Sequence, residues 1–404
     1  MSGDREQLGL WPASQTETRE WVSTLGGLSG RQRSKILPTY EAGITPTIAA
    51  VESIDISGGA AADLAEAEAA IERFDEGVGN TLAGFAVIAL RTEAVASSRI
   101  ENLSASATSI VLAEHLPRTA KARTNAEAIS ANVATLREAM ERETSITPDE
   151  IIEIQRVLLQ EHAPLLTGQF RQEQVWIGGT NYSPHGADYV APHHERIPAA
   201  IKDWAAFADR RDLGRLAHLA VAHAHFENIH PFPDGNGRTG RVVVQRMLRR
   251  SGLTNKTILP ISAGLLTDTH RYFEALSEYR NGSVEPIVSV FSEATFATVA
   301  NAQQLAADLA DIGKGWQDTI TARRDSAVWP LLDYALRSPA LNVASVSADL
   351  GIPEHRARTA IDLLIDAGLL HTNSTSRRNR VWLVPEVLSA VEDFMERTRR
   401  PRIG

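Results

Sequence analysis

The chain has 404 residues, a formal net charge of -9, 43% hydrophobic and 23% charged residues, and no cysteine. That length exceeds one ordinary core and favours two or three domains, and the composition is that of a globular protein rather than a disordered one. Without cysteine there is no disulfide framework and no thiolate zinc site, and the negative balance argues against binding nucleic acid over the whole surface while leaving room for one basic patch. The opening MSGDREQLGLWPAS has neither a basic n-region nor an apolar h-region, and no apolar run is long enough to span a bilayer. A cytoplasmic location in a reducing compartment, with no membrane partner, is therefore expected.

In chain order, the first forty residues mix Gly, Ser, Pro and charge with little periodicity, which predicts an extended arm docked on something else. Two alanine-rich stretches, GGAAADLAEAEAAIERFDEGVG and TLAGFAVIALRTEAVASSRIENLSASATSIVLAEH, place apolar residues at spacings of three and four and so predict helices. SITPDEIIEIQRVLLQEH predicts a helix start, with Thr147 as N-cap, Pro148 at the first helical position and Glu150 completing a capping box. Val175, Trp176 and Ile177 are strand formers followed by turn formers, the pattern of a short hairpin with a long tip. Helical periodicity returns from Ile197 to Ile229 and again in RVVVQRMLRRSGL, which ends at Gly252. From about Ala327 short helices alternate with turns, then a basic turn and the strand-like RVWLV follow; this is the pattern of a winged helix-turn-helix, with SVSADLG and HRARTAIDLLIDAGLL as its helix pair. The expected organisation is an N-terminal arm and helices over 1–145, a core over 146–300, a helical linker over 301–328 and the winged helix over 329–404.

Between the two central helices lies HPFPDGNGRTGR, His230 to Arg241. Gly235 and Gly237 flank Asn236 just ahead of a helix, so the backbone can aim successive N–H groups at one point, and a helix N-terminus is itself an anion site. Phosphate is the guest this predicts. Arg238 and Arg241, three apart, share a helix face and can bind further phosphate oxygens. Asp234 is placed to hold a hard cation such as Mg2+, and His230 can act as a base near neutral pH. His193, His194, His223, His225 and His230 also invite a zinc reading. His223 and His225, however, are two apart and face different ways, and a metallohydrolase would leave the arginines and glycines unexplained; packed histidines are the expectation.

His230, Phe232, Asp234, Gly235, Asn236, Gly237, Arg238 and Arg241 fill every fixed position of the Fic family signature, and the resemblance extends over the hairpin, the arm and the helices from about Asn80 to Ala300. It implies a mostly α fold: a Fic-type helical bundle with a β-hairpin flap, here carrying a C-terminal winged helix-turn-helix domain. It also implies a protein adenylyltransferase that moves AMP from ATP to a Tyr, Thr or Ser hydroxyl of a target protein. By that resemblance His230 deprotonates the hydroxyl and Asp234 holds Mg2+ on the α- and β-phosphates. Gly235 to Gly237, Arg238 and the following Thr239 and Gly240 cradle phosphate, Arg241 takes the γ-phosphate, and Phe232 anchors the loop. Ile177, Gly178, Gly179 and Thr180 line the flap, along which the target pairs by strand addition. Tyr272, Phe273 and Asn281 are the candidates for the adenine side, with Tyr272-Phe273 standing where family members often have two tyrosines. SSRIEN, with Ser97, Glu101 and Asn102, is similar to the self-inhibitory helix of the subgroup that carries it on the N-terminal side; Glu101 would pair with Arg241 and displace the γ-phosphate. Two other functions stay open: AMP removal by the same fold, and DNA-binding regulation through the winged helix, whose wing holds Arg377, Arg378 and Arg380 but whose recognition segment is only moderately basic. A homodimer is also open.

Overall fold

Alanine-rich sequence with apolar residues spaced at three and four makes helices the dominant element. The computed structural model describes residues 11–23, 27–81, 85–115, 124–142, 145–161, 163–372 and 380–398. Two compact units emerge, each assembled from separated stretches: residues 1–65, 142–251 and 270–292 form the first, and residues 66–141, 252–269 and 293–404 the second. No described helix is long and apolar enough to cross a membrane.

The first unit is organised around the helix Arg215–Ile229, in which every residue from Leu216 onward is buried. A helix buried on all faces belongs at the centre of a core. Ile197–Ala208 and Asn236–Arg250 pack on it. Gly240 permits the second contact, since a Cβ there would lie 3.0 Å from Phe226 Cδ1 and 3.3 Å from His223 Nδ1. The helix Pro148–Leu159 begins as its sequence predicts, with Thr147 Oγ1 accepting from the Glu150 N–H at 3.2 Å and Pro148 in the first turn. The capping box is only half realised, because the buried Glu150 carboxylate is drawn to the Arg246 guanidinium. An ion pair inside the unit outcompetes the local contact with the N-cap backbone.

The N-terminal arm departs most from expectation. Gln15–Glu20 pairs antiparallel with Thr39–Ile44, Gln15 opposite Ile44 and Glu20 opposite Thr39. QTETRE has no apolar alternation to announce a strand; its order comes from backbone pairing and from the Glu17 carboxylate, which accepts from Arg196 Nε at 2.8 Å and Nη2 at 2.7 Å. The arm is docked within this unit: the Ser14 N–H donates to Arg280 O at 2.8 Å, and buried Trp11 lies 6.0 Å from the Tyr279 ring. Trp21 meets Tyr40 and Trp176 edge-on.

The second unit holds the helices Phe85–Ile100, Ala107–His115 and Asn125–Glu141, most of Glu285–Thr319, and the C-terminal helices Val328–Arg337, Val343–Leu350, Glu354–Asp366 and Pro385–Arg397. A two-stranded antiparallel sheet joins Ala340–Leu341 to Trp382–Leu383. Val111 shares one apolar cluster with Ala340, Val381, Leu383 and Leu388, so the C-terminal segment completes a core that an early helix begins. Asn342 caps Val343–Leu350 through a capping box with Ser345. Arg377 and Arg378 lie outside the described residues.

Two buried acids, marked by no local pattern, hold backbone in the second unit. Asp75, 3% exposed, accepts the N–H groups of Asn255, Lys256 and Thr257 at 2.9–3.1 Å. Glu93, fully buried, accepts from Ser262 N at 3.0 Å and Ser262 Oγ at 2.6 Å. Asp75→Ala strands those amides, and a loss of about 3 kcal/mol is expected. A thermal unfolding midpoint equal to that of the parent would show that the cradle holds nothing.

Candidate active site

His230 follows the last turn of Arg215–Ile229 as its C-cap, with φ 49° and ψ 61°. A non-glycine residue in the left-handed region needs surrounding structure to hold it there. Its N–H still reaches Phe226 O at 3.0 Å, and its own carbonyl accepts from Arg171 Nε at 2.8 Å. The imidazole is about one-fifth exposed, and its Nδ1 edge lies 3.3 Å from Glu227 O and 3.8 Å from the Glu227 carboxylate. That turns Nε2 to the opposite edge of the ring.

Past His230 the loop is pinned by Phe232 and Asn236. Phe232 is fully buried, 5.6 Å from Phe170 and 6.4 Å from Phe226. Asn236 closes the loop on itself: its Oδ1 accepts from the Phe232 N–H at 2.8 Å and its Nδ2 donates to Phe232 O at 2.8 Å. The asparagine between the two glycines is thus a clamp for the loop backbone. Gln155 Nε2 supports the same loop through Asp234 O at 3.4 Å.

Only one of the two glycines has the unusual conformation. Gly235 has φ 81° and stands before the helix Asn236–Arg250, whereas Gly237 already lies in the first helical turn. A side chain at Gly235 would also press on Leu158 and Leu159, whose methyls lie 3.3 Å from its Cβ position. Among the described residues no side chain caps this N-terminus, so the anion-attracting end of the helix dipole is retained. The Asp234 carboxylate, about half exposed, accepts from the Gly235 N–H at 2.6 Å and lies 3.5 Å from Arg238 Nη2. Arg238 and Arg241 are both buried within the first two turns. Thr239 is fully buried and Gly240 faces the neighbouring helix, so both are packed positions of the motif.

Trp176–Ile177 pairs antiparallel with Tyr189–Val190. Ile177 is 45% exposed, and the turn beyond it needs glycine twice: Gly178 has φ 76° and would bring a Cβ onto the Asp188 carboxylate, while Gly179 has φ 69° and would meet Gly186 O at 2.8 Å. Trp176 Nε1 donates to Thr180 O at 2.6 Å, which shapes the tip. Arg171, which no local pattern marks in the sequence, holds both roots of this hairpin; burial lowers its guanidinium to about 10, still cationic at neutral pH. Burial likewise raises the Tyr189 phenol above its ordinary range.

The three adenine-side candidates do not converge on one face. Tyr272 is 1% exposed and shares a 2.7 Å hydrogen bond between its hydroxyl and His223 Nε2, so its ring belongs to the core. Periodicity explains this, because Tyr272, Ala275, Leu276 and Tyr279 are the buried face of Thr269–Arg280. Phe273 is half exposed, and exposed Asn281 lines a cavity of 630 Å³ with Arg280, Asp188, Tyr189 and residues of the N-terminal sheet. His225 pairs with the Tyr279 hydroxyl at 2.9 Å. Burial lowers both His223 and His225 to about 3, with the Arg241 charge a further cause at His223. Among the described residues no group of three or more His, Cys, Asp or Glu could hold a metal ion.

In the second unit, SSRIEN ends the helix Phe85–Ile100. Asn102 takes φ 60°, the Leu103 N–H returns to Ser98 O at 3.0 Å and the Asn102 N–H to Arg99 O at 2.9 Å. These are the paired bonds of a Schellman terminus, which explains the asparagine: the position requires a left-handed residue. Ser97 and Ser98 are buried, while Glu101 is exposed at the helix end. Asn132 Nδ2 fastens the helix through Ala94 O at 3.0 Å and Ser98 Oγ at 3.2 Å.

A histidine at a left-handed helix end, a half-exposed acid and two buried arginines at an uncapped helix N-terminus thus occupy one short stretch of a helical unit. Residues 145–248 match the model of the Fic/DOC family, so this part of the chain is Fic-like in sequence. The chain is 31% identical over 163 residues to the Nematostella vectensis protein adenylyltransferase Fic, covering 40% of this chain and 35% of that protein. It is 30% identical over 154 residues to the Drosophila willistoni protein of the same name, covering 38% and 28%. The match thus spans about a third of those relatives' length. Among solved structures, a Fic family protein from Desulfovibrio desulfuricans G20 has the same fold at a TM-score of 0.54 with 18% identity, over 81% of this chain and 96% of that one.

Two outcomes follow from this geometry. Asn236→Ala removes both bonds to Phe232 and should cost about 2 kcal/mol, whereas a mere turn residue would be replaced at little cost; urea unfolding separates the two. His223 and His225 are neutral in the fold but take up protons when unfolded, so their contribution is complete above about pH 6.5 and lost as pH falls from there towards 3. The melting temperature should fall through that window, less steeply in His225→Gln, and an equal slope in the variant would remove His225 from the effect.

Proposed function

We propose that this chain is a protein adenylyltransferase, transferring AMP from ATP to a Tyr, Thr or Ser hydroxyl of a target protein and releasing pyrophosphate. The observation that carries the reading is the complete His230–Arg241 loop, in which a base at a left-handed helix end lies in the same short loop as an uncapped helix N-terminus bearing two buried arginines. That end concentrates positive potential where a polyphosphate would lie. His230 Nε2 accepts the target's hydroxyl proton as the hydroxyl oxygen bonds to the α-phosphorus; the bond from that phosphorus to the bridging oxygen breaks, and pyrophosphate leaves with its electron pair. The amides of Asn236 and Gly237 and the Arg238 fork bind phosphate oxygens, with Arg241 on the γ-phosphate. Thr239 and Gly240 contribute by packing the helix against its neighbour. Asp234 offers one hard, half-exposed oxygen donor, which suits an ion that keeps waters and shares phosphates. Mg2+ held there would neutralise phosphate charge in the transition state.

The remaining elements fit around that centre. The hairpin, with Ile177, Gly178, Gly179 and Thr180, is the edge on which the target segment adds as a strand. Phe273 and Asn281 stay as contacts for the base, with Tyr272 supporting from the core. Glu101 acts as a brake by pairing with Arg241 and excluding the γ-phosphate, as in the subgroup with an N-terminal-side inhibitory helix. The C-terminal helices and small sheet make a winged helix-turn-helix that docks a protein partner. DNA binding is less favoured there, since the second-helix segment PEHRARTAIDLL is only moderately basic. AMP removal with Glu101 activating water is the alternative activity of the same site.

Incubation with α- and γ-labelled ATP separates these outcomes. Glu101→Gly should raise α-label transfer, including self-labelling, and the Glu101→Gly/Arg241→Ala double variant should be much slower than Glu101→Gly alone, a non-additive result. His230→Ala should retain ATP binding and lose transfer by about 100-fold or more. Retained transfer in His230→Ala would reject the mechanism, and an unchanged rate in Glu101→Gly would reject the brake.

A further inference from the structure

The two roots of the hairpin and the His230 main chain meet at one guanidinium. Arg171 is 1% exposed; its Nε donates to His230 O at 2.8 Å, its Nη1 to Glu173 O at 3.0 Å and its Nη2 to Pro192 O at 2.6 Å. Its own N–H donates to Pro231 O at 3.0 Å. Glu173 lies just before the first hairpin strand and Pro192 just after the second. A second tie runs from the strand itself: the Tyr189 hydroxyl reaches Asn228 Oδ1 at 2.6 Å and also Asn228 O, in the last turn before His230. The Arg280 guanidinium lies 4.1 Å from the centre of the Tyr189 ring and holds it in place.

These ties are more than packing requires. A cation buried among neutral carbonyls carries a desolvation cost that an apolar side chain of similar size would avoid. What the guanidinium alone supplies is a rigid fork of five donors that can hold three carbonyls from separate segments in fixed relation. One of those carbonyls belongs to a residue at φ 49°, in a narrow backbone well where a small displacement re-aims the side chain.

We propose that Arg171 is a positioning residue that, together with Tyr189, transmits the seating of the hairpin to His230, so that the imidazole is aligned for proton transfer when the hairpin edge is paired. This rests on the reading of His230 as the base and of the hairpin as the docking edge. The hairpin is then part of the catalytic geometry as well as a contact for the target.

The test uses the full chain carrying Glu101→Gly, with transfer rate at saturating ATP and Mg2+ and the ATP concentration at half-maximal rate as readouts. In Arg171→Lys and Arg171→Gly the rate should fall about tenfold or more while half-saturation by ATP moves less than about twofold, because misplacement of a base costs rate rather than nucleotide binding. Added guanidinium ion should restore part of the rate to Arg171→Gly and none to the parent. Tyr189→Phe, which deletes a single hydroxyl, should lose about threefold or more with ATP half-saturation unchanged. An unchanged rate, a loss that guanidinium does not relieve, or an equal change in ATP half-saturation overturns the proposal. If Arg171→Gly does not fold, Tyr189→Phe decides by rate and half-saturation alone. Absence of transfer in Glu101→Gly itself would reject the adenylyltransferase reading instead. The coupling is then read from the NMR signals of the His230 ring, which move in Arg171→Lys and Tyr189→Phe if the ties place it and stay fixed in both if they do not.

Discussion

Burial of every residue from Leu216 to Ile229 in the helix Arg215–Ile229 is the constraint on which the first unit depends. A helix enclosed on every side must find a partner for each polar side chain, and this one carries His218, His223, His225 and Asn228 into the interior. His218 Nε2 meets Phe207 O at 2.8 Å, His223 and His225 meet the hydroxyls of Tyr272 and Tyr279, and Asn228 meets Tyr189 and Ser14. Each contact fixes the helix in rotation and along its axis. His230, the residue immediately after it, is therefore placed by contacts spread over the unit as well as by its own loop.

Around that fixed point the site uses backbone positions that a stability-driven fold would avoid. His230 and Gly235 both lie at positive φ, and the following helix starts without a side-chain cap among the described residues. An Asp, Ser or Asn at position 235 would cap the helix but would press against Leu158 and Leu159 and cover the amides. The strain is held by Asn236 on Phe232 and by Arg171 on His230. Buried hydrogen bonds of this kind make the loop rigid.

The N-terminal sheet and the hairpin form a second layer with shared supports. Thr39–Ile44 runs close to Tyr189–Val190, where a Cβ at Gly43 would lie 3.1 Å from Val190 O. Tyr40 donates its hydroxyl to Gln174 Oε1 at 2.9 Å, and His185 Nε2 lies 2.9 Å from Thr39 O. Glu17, between Arg19 and Arg196, is held down to about 2 by its hydrogen bond to Arg196, so this link stays charged across the physiological range. The arm thereby supports the hairpin it lies beside.

The sequence by itself determined the elements whose signals are local. The helices follow from spacing at three and four, the start at Thr147 from its cap, the stop from a glycine at 252, and the bare helix N-terminus from a glycine before a helix bearing Arg238 and Arg241. SSRIEN was legible as a pattern, and its asparagine proves to be the left-handed residue of a helix terminus. Tertiary structure decided whatever depends on partners far away in the chain. QTETRE became a strand because Thr39–Ile44 lies beside it, and Glu150 left its capping box for Arg246. Tyr272 turned into the core to meet His223, and Arg171 gathered three carbonyls that no sequence window contains. The physical reason is range: capping, periodicity and backbone propensity act within a few residues, whereas buried polar groups must be satisfied by whichever segments folding brings to them.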